Sequence, residues 1–323
     1  MKREMKKIGL RKLLVVGAGD IGRRVIEGSG RLHAPFEAIT AMTSNPAHRS
    51  RLKRLGAKPL LANLDRPGTL SRLPPGWTAL LHAAPPQSYL SGDLRTRNLL
   101  RAIEHQSGRK NGRNGGRHGA DRALVYLSTS GVYGDCGGAR ITESHPLRPH
   151  NARAKRRVDA ERRLIRAARR GVFRLIILRV PGIYAADRLP LARLKAGTAA
   201  LRDEDDVYTN HIHASDLAAI SLAALARLAR RKLPRVRIYH ASDDGELKMG
   251  AWFDLVANAF GLPHPPRLPR SEIAGVVSPA LLSFMNESRR LDNTRMKREL
   301  RVRLQFATAA EGVAAARLVI AQA

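Results

Sequence analysis

Three glycines near the start of the chain, Gly17, Gly19 and Gly22, have the spacing G-x-G-x-x-G. An apolar run precedes them at 13–16, and a helix-like segment follows at 23–27. In that setting the first glycine permits a tight turn, the second lets the backbone approach a diphosphate, and the third lets helix and strand pack closely. The N–H groups at the start of the helix would then hold the phosphates. The pattern predicts a dinucleotide site with phosphate contacts at Gly17, Gly19, Asp20, Ile21 and Gly22.

The residue type that selects between the two nicotinamide coenzymes is missing from its usual place. An NAD site normally has Asp or Glu about 20 residues beyond the glycines, where it binds the ribose 2′-hydroxyl. Here the strand predicted at 37–43 runs into Ser44 and, farther on, Arg49. A hydroxyl and a guanidinium suit a 2′-phosphate, so NADP is the predicted cofactor and NAD the alternative. A competing interpretation is that Arg49 only begins the next solvated helix.

The charge of the chain is strongly positive. Its 323 residues include 58 Lys and Arg against 27 Asp and Glu, which gives a formal net charge of +31. Such a charge attracts polyanions over long distances. The excess is mostly Arg, however, and it is spread along the whole chain without interleaved aromatic residues, zinc-ligand spacing or a helix-turn-helix pattern. We interpret it as solvated surface, and nucleic acid is not an expected partner.

Cysteine usage and apolar runs bear on the compartment. Cys136 is the only cysteine, which is typical of a chain in a reducing compartment. The charged N-terminus has no apolar stretch of signal-peptide length. No run of about 18 apolar residues is present, so no membrane span is expected. The sequence therefore predicts a cytoplasmic protein that has no membrane partner.

Strand-like and helix-like segments alternate through the first two-thirds of the chain. This alternation predicts an α/β fold: a Rossmann-type, doubly wound, mostly parallel seven-stranded sheet with helices on both faces. Several of the strand-like runs lack period-two alternation, as expected for strands buried on both sides. The runs interpreted as strands are 13–16, 38–42, 59–62, 78–82, 123–127, 172–178 and 236–239.

The predicted domain organisation has two parts. An NAD(P)-binding Rossmann domain is expected at 1–180, and a smaller, helical C-terminal cap that binds substrate at 181–323. Within the cap region, 233–241 is expected to return a strand to the sheet. The segment 106–121 is rich in Gly, Asn and Arg and has no apolar face, so we interpret it as a flexible basic insertion. The Ala-rich helices predicted for the cap are 214–232, 249–260 and 278–287.

Further motifs follow strands of the predicted sheet. The small residues Ala83 and Ala84 come after the fourth strand and would let a nucleotide lie against the backbone. Ser-Thr-Ser-Gly-Val-Tyr-Gly at 128–134 follows the fifth strand, and 178–184 follows the sixth. Ligands of open α/β sheets bind at the carboxyl ends of the strands, so these segments should meet in one crevice. Together with the glycine loop they resemble the extended short-chain dehydrogenase/reductases, and most closely the atypical members of that superfamily of NAD(P)-dependent epimerases and dehydratases.

The resemblance covers nearly the whole chain and implies further site residues. In this superfamily a Ser or Thr at the end of the fifth strand hydrogen-bonds the substrate oxygen. That position corresponds to Thr129, with Ser130 as a neighbour that could serve instead. The position of the superfamily's adenine-binding Asp holds Asn63, followed by Leu64, so the adenine contact is weakened or replaced.

The sequence departs from the superfamily at the Tyr-x-x-x-Lys pair, which normally performs the proton transfer. Glu161 matches the Glu that closes this motif, which places Arg153 at the Tyr position and Arg157 at the Lys position. Residues four apart share a helix face, so both guanidiniums can point into the crevice and bind an anion. Neither can be a general acid near neutral pH, because Arg stays protonated. A register shifted by two brings in Lys155 but places Asn151, again not a Tyr, at the other position.

Other chemically active side chains have simpler interpretations. Tyr133, Tyr184 and His150 could donate a proton, although the two tyrosines match structural positions of the superfamily. His211 and His213 hint at a metal ion, but no further ligand cluster accompanies them, and no metal is expected.

The glycine loop and the resemblance predict an NAD(P)-dependent oxidoreductase or epimerase/dehydratase-like enzyme that acts on a small carbonyl or nucleotide-sugar-like substrate. General acid–base catalysis contributes about 10²–10⁴-fold to rates, so loss of the Tyr and Lys pair leaves a second interpretation open. That alternative is a redox-silent, NADP-binding regulatory protein, and a basic nucleic-acid scaffold is the third. The expected partners are a small-molecule substrate and, by resemblance, a second copy of the chain.

Overall fold

The computed structural model describes residues 12–30, 36–110, 122–229 and 233–322. The N-terminal segment 1–11 and residues 111–121 of the predicted basic insertion lie outside the described residues. Within the described ranges the strands are β1 (Lys12–Val16), β2 (Ala38–Thr43), β3 (Lys58–Leu61), β4 (Ala79–His82), β5 (Ala123–Thr129), β6 (Arg140–Ile141), β7 (Arg174–Val180), β8 (Gly182–Tyr184), β9 (Ala200–Leu201), β10 (Tyr208–Thr209), β11 (His211–His213), β12 (Val236–His240), β13 (Leu247–Lys248), β14 (Arg267–Leu268) and β15 (Arg290–Leu291). The α-helices there are α1 (Asp20–Ser29), α2 (Arg49–Arg54), α3 (Leu94–Lys110), α4 (Ala152–Arg169), α5 (Leu191–Lys195), α6 (Ala214–Ala229), α7 (Met249–Phe260), α8 (Arg270–Ile273), α9 (Pro279–Met285), α10 (Thr294–Leu300) and α11 (Ala309–Ala321).

Seven strands form one sheet in the order β12-β7-β5-β4-β1-β2-β3, and every neighbouring pair is parallel. From β1 the chain winds outward to β2 and β3, then returns to β4 on the other side of β1 and winds the opposite way. The predicted doubly wound, seven-stranded sheet is confirmed, and it is parallel throughout. Because the direction of winding reverses between β1 and β4, a crevice forms at the carboxyl ends of these two strands.

Alternate side chains of β1 enter separate hydrophobic clusters on the two faces of the sheet. Leu13 and Val15 pack with α1 and α6, whereas Leu14 and Val16 pack with α3 and α4. Both faces are therefore buried, which explains why the strand sequences are continuously apolar rather than alternating.

A third hydrophobic cluster lies in the C-terminal half and forms the core of the predicted helical cap. Trp252 and Phe253 of α7 are buried there with Ile273 of α8 and Val313 of α11. Tyr184 of β8, a strand that pairs with β11 outside the seven-stranded sheet, also belongs to this cluster. No helix of the described residues is long and apolar enough to cross a membrane.

Several predicted boundaries differ from the structure: the sixth strand, predicted at 172–178, is β7 at Arg174–Val180, and two helix boundaries differ for a visible reason. Helix α3 continues to Lys110, into the segment predicted as an insertion, and Gln106 in its last turns donates from Nε2 to the Leu73 carbonyl oxygen at 2.7 Å. The helix predicted at 278–287 is shorter, because Ser278 is its N-cap and Oγ of that residue accepts the Leu281 N–H at 3.3 Å. Local sequence patterns do not predict capping and docking contacts of this kind.

Candidate coenzyme and substrate site

The glycine loop joins β1 to α1 at the centre of the crevice. Gly17 has φ +97°, and a Cβ on it would lie 2.8 Å from Ala84 Cα. A Cβ on Gly22 would overlap the Gly17 carbonyl oxygen, so helix and loop can pack this closely only with glycine at that position. A Cβ on Gly19 would have nothing within 4 Å and would enter the crevice. Gly19 is also the N-cap of α1 and makes no side-chain cap, which leaves the helix N–H groups available to a ligand.

Two neighbouring cavities lie along the crevice and share Gly17, Gly19 and Ala83. The first has a volume of about 260 Å³ and the second about 250 Å³. The first cavity is lined by Gly17, Gly19, Asp20, Ile21, Gly22, Ala83, Leu127, Ser128, Arg157, Val180, Ile183 and Arg188. The second is lined by Gly17, Ala18, Gly19, Met42, Thr43, Ser44, Asn45, His48, Ala62, Asn63, Leu64, Ala83, Ala84, Pro85 and Arg95.

The second cavity contains most of the residues that the sequence assigned to the adenosine end of a dinucleotide. Ser44, Asn63 and Leu64 line it, together with Ala83 and Ala84. Its lining contains no carboxylate side chain among the described residues.

Two residues near the end of β2 differ in their relation to this cavity. Arg49 begins α2, is exposed, and is not among the described lining residues. His48, which was not predicted as a site residue, lines the second cavity together with Ser44 and Asn45. A 310 turn at Pro46–His48 bends the chain so that the imidazole faces the cavity and the following Arg faces solvent.

An arginine that was not predicted forms the outer wall of the second cavity. Arg95 of α3 makes a bidentate contact with Asp65, at 2.8 and 2.6 Å, and donates to the Pro85 carbonyl oxygen at 3.0 Å. The hydrogen bond from Arg95 holds the pKa of the Asp65 carboxyl below its ordinary value. Asn63 is tied into the same wall, since its Oδ1 accepts the Asp65 N–H at 2.9 Å.

The far end of the first cavity is polar on one side and apolar on the other. Its lining includes the apolar Val180 and Ile183 and the polar Ser128 and Arg157. The Arg157 Nη1 donates to the Leu127 carbonyl oxygen at 2.7 Å and to a buried tyrosine hydroxyl, that of Tyr126, at 3.0 Å. Arg157 therefore places a guanidinium, held by two hydrogen bonds, at this end of the cavity.

The two arginines that replace the Tyr and Lys lie in different surroundings. Arg153 is exposed, its guanidinium carbon lies 4.7 Å from the Phe284 ring centre, and it lines neither cavity of the described residues. The expectation that both guanidiniums point into one crevice therefore holds in the structure only for Arg157. A helix turns by about 100° per residue, so side chains four residues apart do not point in the same direction. The Arg153 side chain packs on Phe284 of α9 instead of entering the crevice.

The predicted substrate hydroxyls sit just outside the first cavity. Thr129 ends β5, and its Oγ1 accepts the Gly131 N–H at 3.2 Å. Ser130 is buried in the following 310 turn. Neither lines the two cavities of the described chain, whereas their neighbour Ser128 does.

The C-terminal half contributes a carboxylate near Gly131 that sequence reasoning missed. Glu287 accepts hydrogen bonds from Asn151 Nδ2 at 3.2 Å and from Arg289 at 2.9 Å. Its Oε2 would lie 3.9 Å from a Cβ on Gly131, and the Thr129 Oγ1 would lie 3.5 Å from the same point. No local motif surrounds Glu287, because its position depends on the packing of α9 against the start of α4.

A buried polar network lies beneath the first cavity. Ser128 Oγ donates to Glu161 at 2.5 Å, and Glu161 pairs with Arg179 at 2.8 Å. Arg179 donates to the Tyr133 hydroxyl at 2.6 Å, and that hydroxyl lies 2.6 Å from His240 Nε2. Burial raises the pKa of Tyr133 to about 12 and lowers that of His240 to about 3. Tyr133 is thus held inside the protein and does not face the cavity.

The remaining proton-donor and metal candidates are engaged elsewhere. Tyr184 donates to the Thr308 carbonyl oxygen at 3.3 Å, and burial raises its pKa. The rings of His211 and Trp252 lie 4.3 Å apart, and the His213 ring packs against a phenylalanine. No group of three or more His, Cys, Asp or Glu that could hold a metal ion occurs among the described residues.

The fold and the glycine-loop crevice define the class of extended short-chain dehydrogenase/reductases. The chain belongs to the NAD dependent epimerase/dehydratase family, whose model matches residues 14–238. No curated protein matches its sequence.

Solved structures share the whole architecture. A functionally unknown conserved protein from Silicibacter pomeroyi is 27% identical with a TM-score of 0.74, and the match covers 96% of this chain and 99% of that one. A UDP-glucose 4-epimerase from Thermotoga maritima, solved with UDP-glucose, is 14% identical with a TM-score of 0.72 and the same coverage. A UDP-glucose 4-epimerase from Stenotrophomonas maltophila, solved with bound NAD, is 16% identical with a TM-score of 0.71, and the match covers 97% and 99%.

Proposed function

We propose that the chain binds NADP(H) along the crevice and acts as an epimerase/dehydratase-like oxidoreductase on a small carbonyl or nucleotide-sugar-like substrate. The observation that carries this proposal is the pair of neighbouring cavities that meet at Gly17, Gly19 and Ala83. Such an arrangement suits a ligand with two lobes joined by a diphosphate. Family membership and the neighbours solved with NAD or a UDP-sugar support the same reading.

Each part of the coenzyme would lie in a different part of the crevice. The diphosphate would lie against Gly19 and the first turn of α1, and the adenosine half in the second cavity, beside Ser44 and Asn63. The nicotinamide end would lie in the first cavity, between the apolar Val180 and the polar Ser128. When bound, the nicotinamide supplies or accepts a hydride.

The preference for NADP rests on the charge around the ribose end. A carboxylate there would repel a 2′-phosphate and would accept a hydrogen bond from the 2′-hydroxyl of NAD. The described lining of the second cavity has no carboxylate and offers Ser44 and His48. Arg49 is one residue farther along, exposed at the start of α2, where a rotation of its side chain would bring it to a 2′-phosphate.

The substrate end would use a fixed cation in place of the usual acid. Arg157 is held by the Leu127 carbonyl oxygen, and a guanidinium is a cation in proteins. A cation that is already in place stabilises negative charge developing on a substrate oxygen without reorganisation. Thr129, at the end of β5, would hold that oxygen by a hydrogen bond.

Coenzyme titration tests the binding half of the proposal. Purified protein is titrated calorimetrically with NADP, NADPH, NAD and NADH, and we expect binding that is tighter for the two phosphorylated forms. Absence of measurable binding to all four would overturn the proposal. Equal affinity for the NAD and NADP forms would overturn only the 2′-phosphate preference.

Hydride transfer tests the catalytic half. NADPH oxidation is followed with a panel of carbonyl compounds and UDP-sugars, using wild type, Thr129→Ala and Arg153→Ala. We expect turnover that is lost in Thr129→Ala and retained in Arg153→Ala, because only the first side chain would hold the substrate oxygen.

One observation favours a second function. Helix α4 presents no tyrosine to the crevice, and the described Tyr126 and Tyr133 are buried, with their pKa raised to about 12 by burial. A protein that binds NADPH tightly but shows no turnover on any panel would be a redox-silent coenzyme-binding regulator.

A further inference from the structure

A cation from the C-terminal half faces the glycine loop across the first cavity. Arg188 ends the 310 turn Ala186–Arg188, which follows β8, and its side chain lines this cavity opposite Gly19. Its backbone is fixed by an N–H that donates to the Ala185 carbonyl oxygen at 2.9 Å. The side chain is 39% exposed, so its guanidinium reaches the cavity without being locked inside the protein.

The carboxylate opposite this cation is in an unusual position. Asp20 is the first residue of α1, and its Oδ1 accepts a hydrogen bond from Arg24 Nε at 3.0 Å. Its Oδ2 is buried and has no hydrogen-bond partner among the described residues. The Arg188 Nε lies 3.5 Å from that oxygen. An acidic residue suits a helix N-terminus. Here, however, Asp20 also lies where a diphosphate would bind, and its carboxylate would repel the phosphates.

The neighbouring arginine is already engaged on several sides. Arg24 contacts Asp20, donates to the Ser215 hydroxyl at 3.3 Å and lies 4.0 Å from Asp187. The Arg188 Nε lies 3.5 Å from Asp20, and within the described residues the guanidinium of Arg188 donates no hydrogen bond. Of these two cations, Arg188 is the one that can offer a free N–H pair to an anion in the cavity.

We propose that Arg188 binds the diphosphate bridge of the coenzyme from the side opposite the glycine loop, and that Asp20 is the positioning residue that orients it. This inference rests on the proposed function. A guanidinium presents parallel N–H donors that match phosphate oxygens, and its charge offsets the two negative charges of the bridge. The ion pair draws the Nε side of the guanidinium towards Asp20, and the terminal nitrogens would then be offered to the ligand. The two halves of the crevice are then joined through the ligand itself.

The test compares ligands that share a diphosphate. Wild type, Arg188→Gln and Arg188→Lys are titrated with NADPH, NADH and ADP-ribose. We expect Arg188→Gln to weaken all three by the same factor, about 10- to 100-fold, the range for one charge-assisted hydrogen-bonding group. Arg188→Lys should recover part of the loss, because it keeps the charge and loses the fork. Arg166→Gln is the matched control, since it removes the same charge from an exposed site on α4 and should change affinity by less than about twofold.

The role of Asp20 is tested by making the same substitution in two backgrounds, where it should change NADPH affinity in opposite directions. Asp20→Asn in wild type should weaken NADPH binding a few-fold, since Arg188 loses its orientation. The same substitution in the Arg188→Gln background should strengthen binding, because it removes an unpaired carboxylate beside the diphosphate. A merely structural role for Asp20 would move both backgrounds in one direction, and that result would overturn the positioning role.

The outcomes separate this inference from the proposed function. A wild type that binds none of the three ligands overturns both. A wild type that binds, with an Arg188→Gln variant that binds equally well, overturns only the role of Arg188. A loss confined to NADPH would show that Arg188 contacts the 2′-phosphate, and it too would overturn the diphosphate assignment. Circular dichroism and thermal unfolding of each variant establish that it is folded.

Discussion

The Arg157 guanidinium is fixed to the end of β5 by a 2.7 Å hydrogen bond from its Nη1 to the Leu127 carbonyl oxygen. This bond places a cation at the first cavity, which Ser128 also lines. Helix α4, which carries this cation, contains no tyrosine that could donate a proton beside it.

We expect Arg157→Met to weaken NADPH binding by about tenfold or more, because the lost charge and hydrogen bonds lie in the cavity. Arg157→Lys should retain most of the affinity. The matched control is Arg153→Met, four residues earlier on the same helix and outside both cavities, which should bind as wild type does. Fluorescence titration with NADPH measures all three, and equal losses for the two Met variants would contradict the placement of the site.

Substitutions of Gly17 and Gly19 should differ in their effect on stability, although both should prevent coenzyme binding. Gly17→Ala forces a Cβ into the Ala84 backbone at φ +97°, so we expect it to lower the free energy of unfolding by about 1–3 kcal/mol and to abolish binding. Gly19→Ala meets nothing within 4 Å and should leave stability nearly unchanged while blocking the coenzyme. Chemical denaturation together with calorimetric titration distinguishes the two. A Gly19→Ala variant with full affinity would show that the diphosphate lies elsewhere.

Removing either member of the buried ion pair between Arg179 and Glu161 should lower the free energy of unfolding substantially. Both side chains are at most 3% exposed, so removing one partner leaves an uncompensated buried charge. Arg179→Met alone is expected to destabilise the protein by about 3–5 kcal/mol. The double variant Arg179→Met/Glu161→Gln should cost less than the sum of the single changes, as measured by urea denaturation. Additive losses would mean that the two groups do not act as a pair.

Asp243 predicts a dependence of stability on pH. Burial raises the pKa of its carboxyl to about 8, and its Oδ2 has no hydrogen-bond partner among the described residues. Since the folded state holds this proton more tightly than the unfolded chain, its contribution to the free energy of unfolding falls as the pH rises from about 4 to about 8.

Asp243→Asn should remove that dependence. The amide is a neutral stand-in for the protonated acid and can still accept the Gly245 N–H. We expect the variant to exceed wild type in stability by at least about 1 kcal/mol at pH 8, with a smaller difference at pH 5. Denaturation curves at the two pH values check this, and an advantage that is larger at pH 5 would show the opposite sign of linkage.

Much of the fold could be predicted from the sequence because its signals are local. Apolar runs such as 38–42 and 123–127 coincide with strands of the sheet, and the glycine spacing placed the loop between β1 and α1. The least accurate boundaries, those of α3 and α9, depend on contacts made after folding, such as the one between Gln106 and Leu73.

The site was only partly predictable for a related reason. Counting back from Glu161 singled out Arg157, which lines the first cavity, because helical periodicity relates positions within one element. The same count could not show that Arg153 would stack on Phe284, since α9 is remote in sequence.

The sequence by itself determined that the chain winds as alternating strands and helices, carries a glycine loop after its first strand, and has Arg153 and Arg157 but no Tyr on the helix that follows the fifth strand. Only the tertiary structure decided which of these arginines lines the cavity, and only it brought Arg188 to Asp20 and Glu287 close to Gly131. The physical reason is the range of the interactions. Strand and turn preferences act between neighbours in the chain, whereas the walls of a crevice are made by packing between segments that are far apart in the sequence.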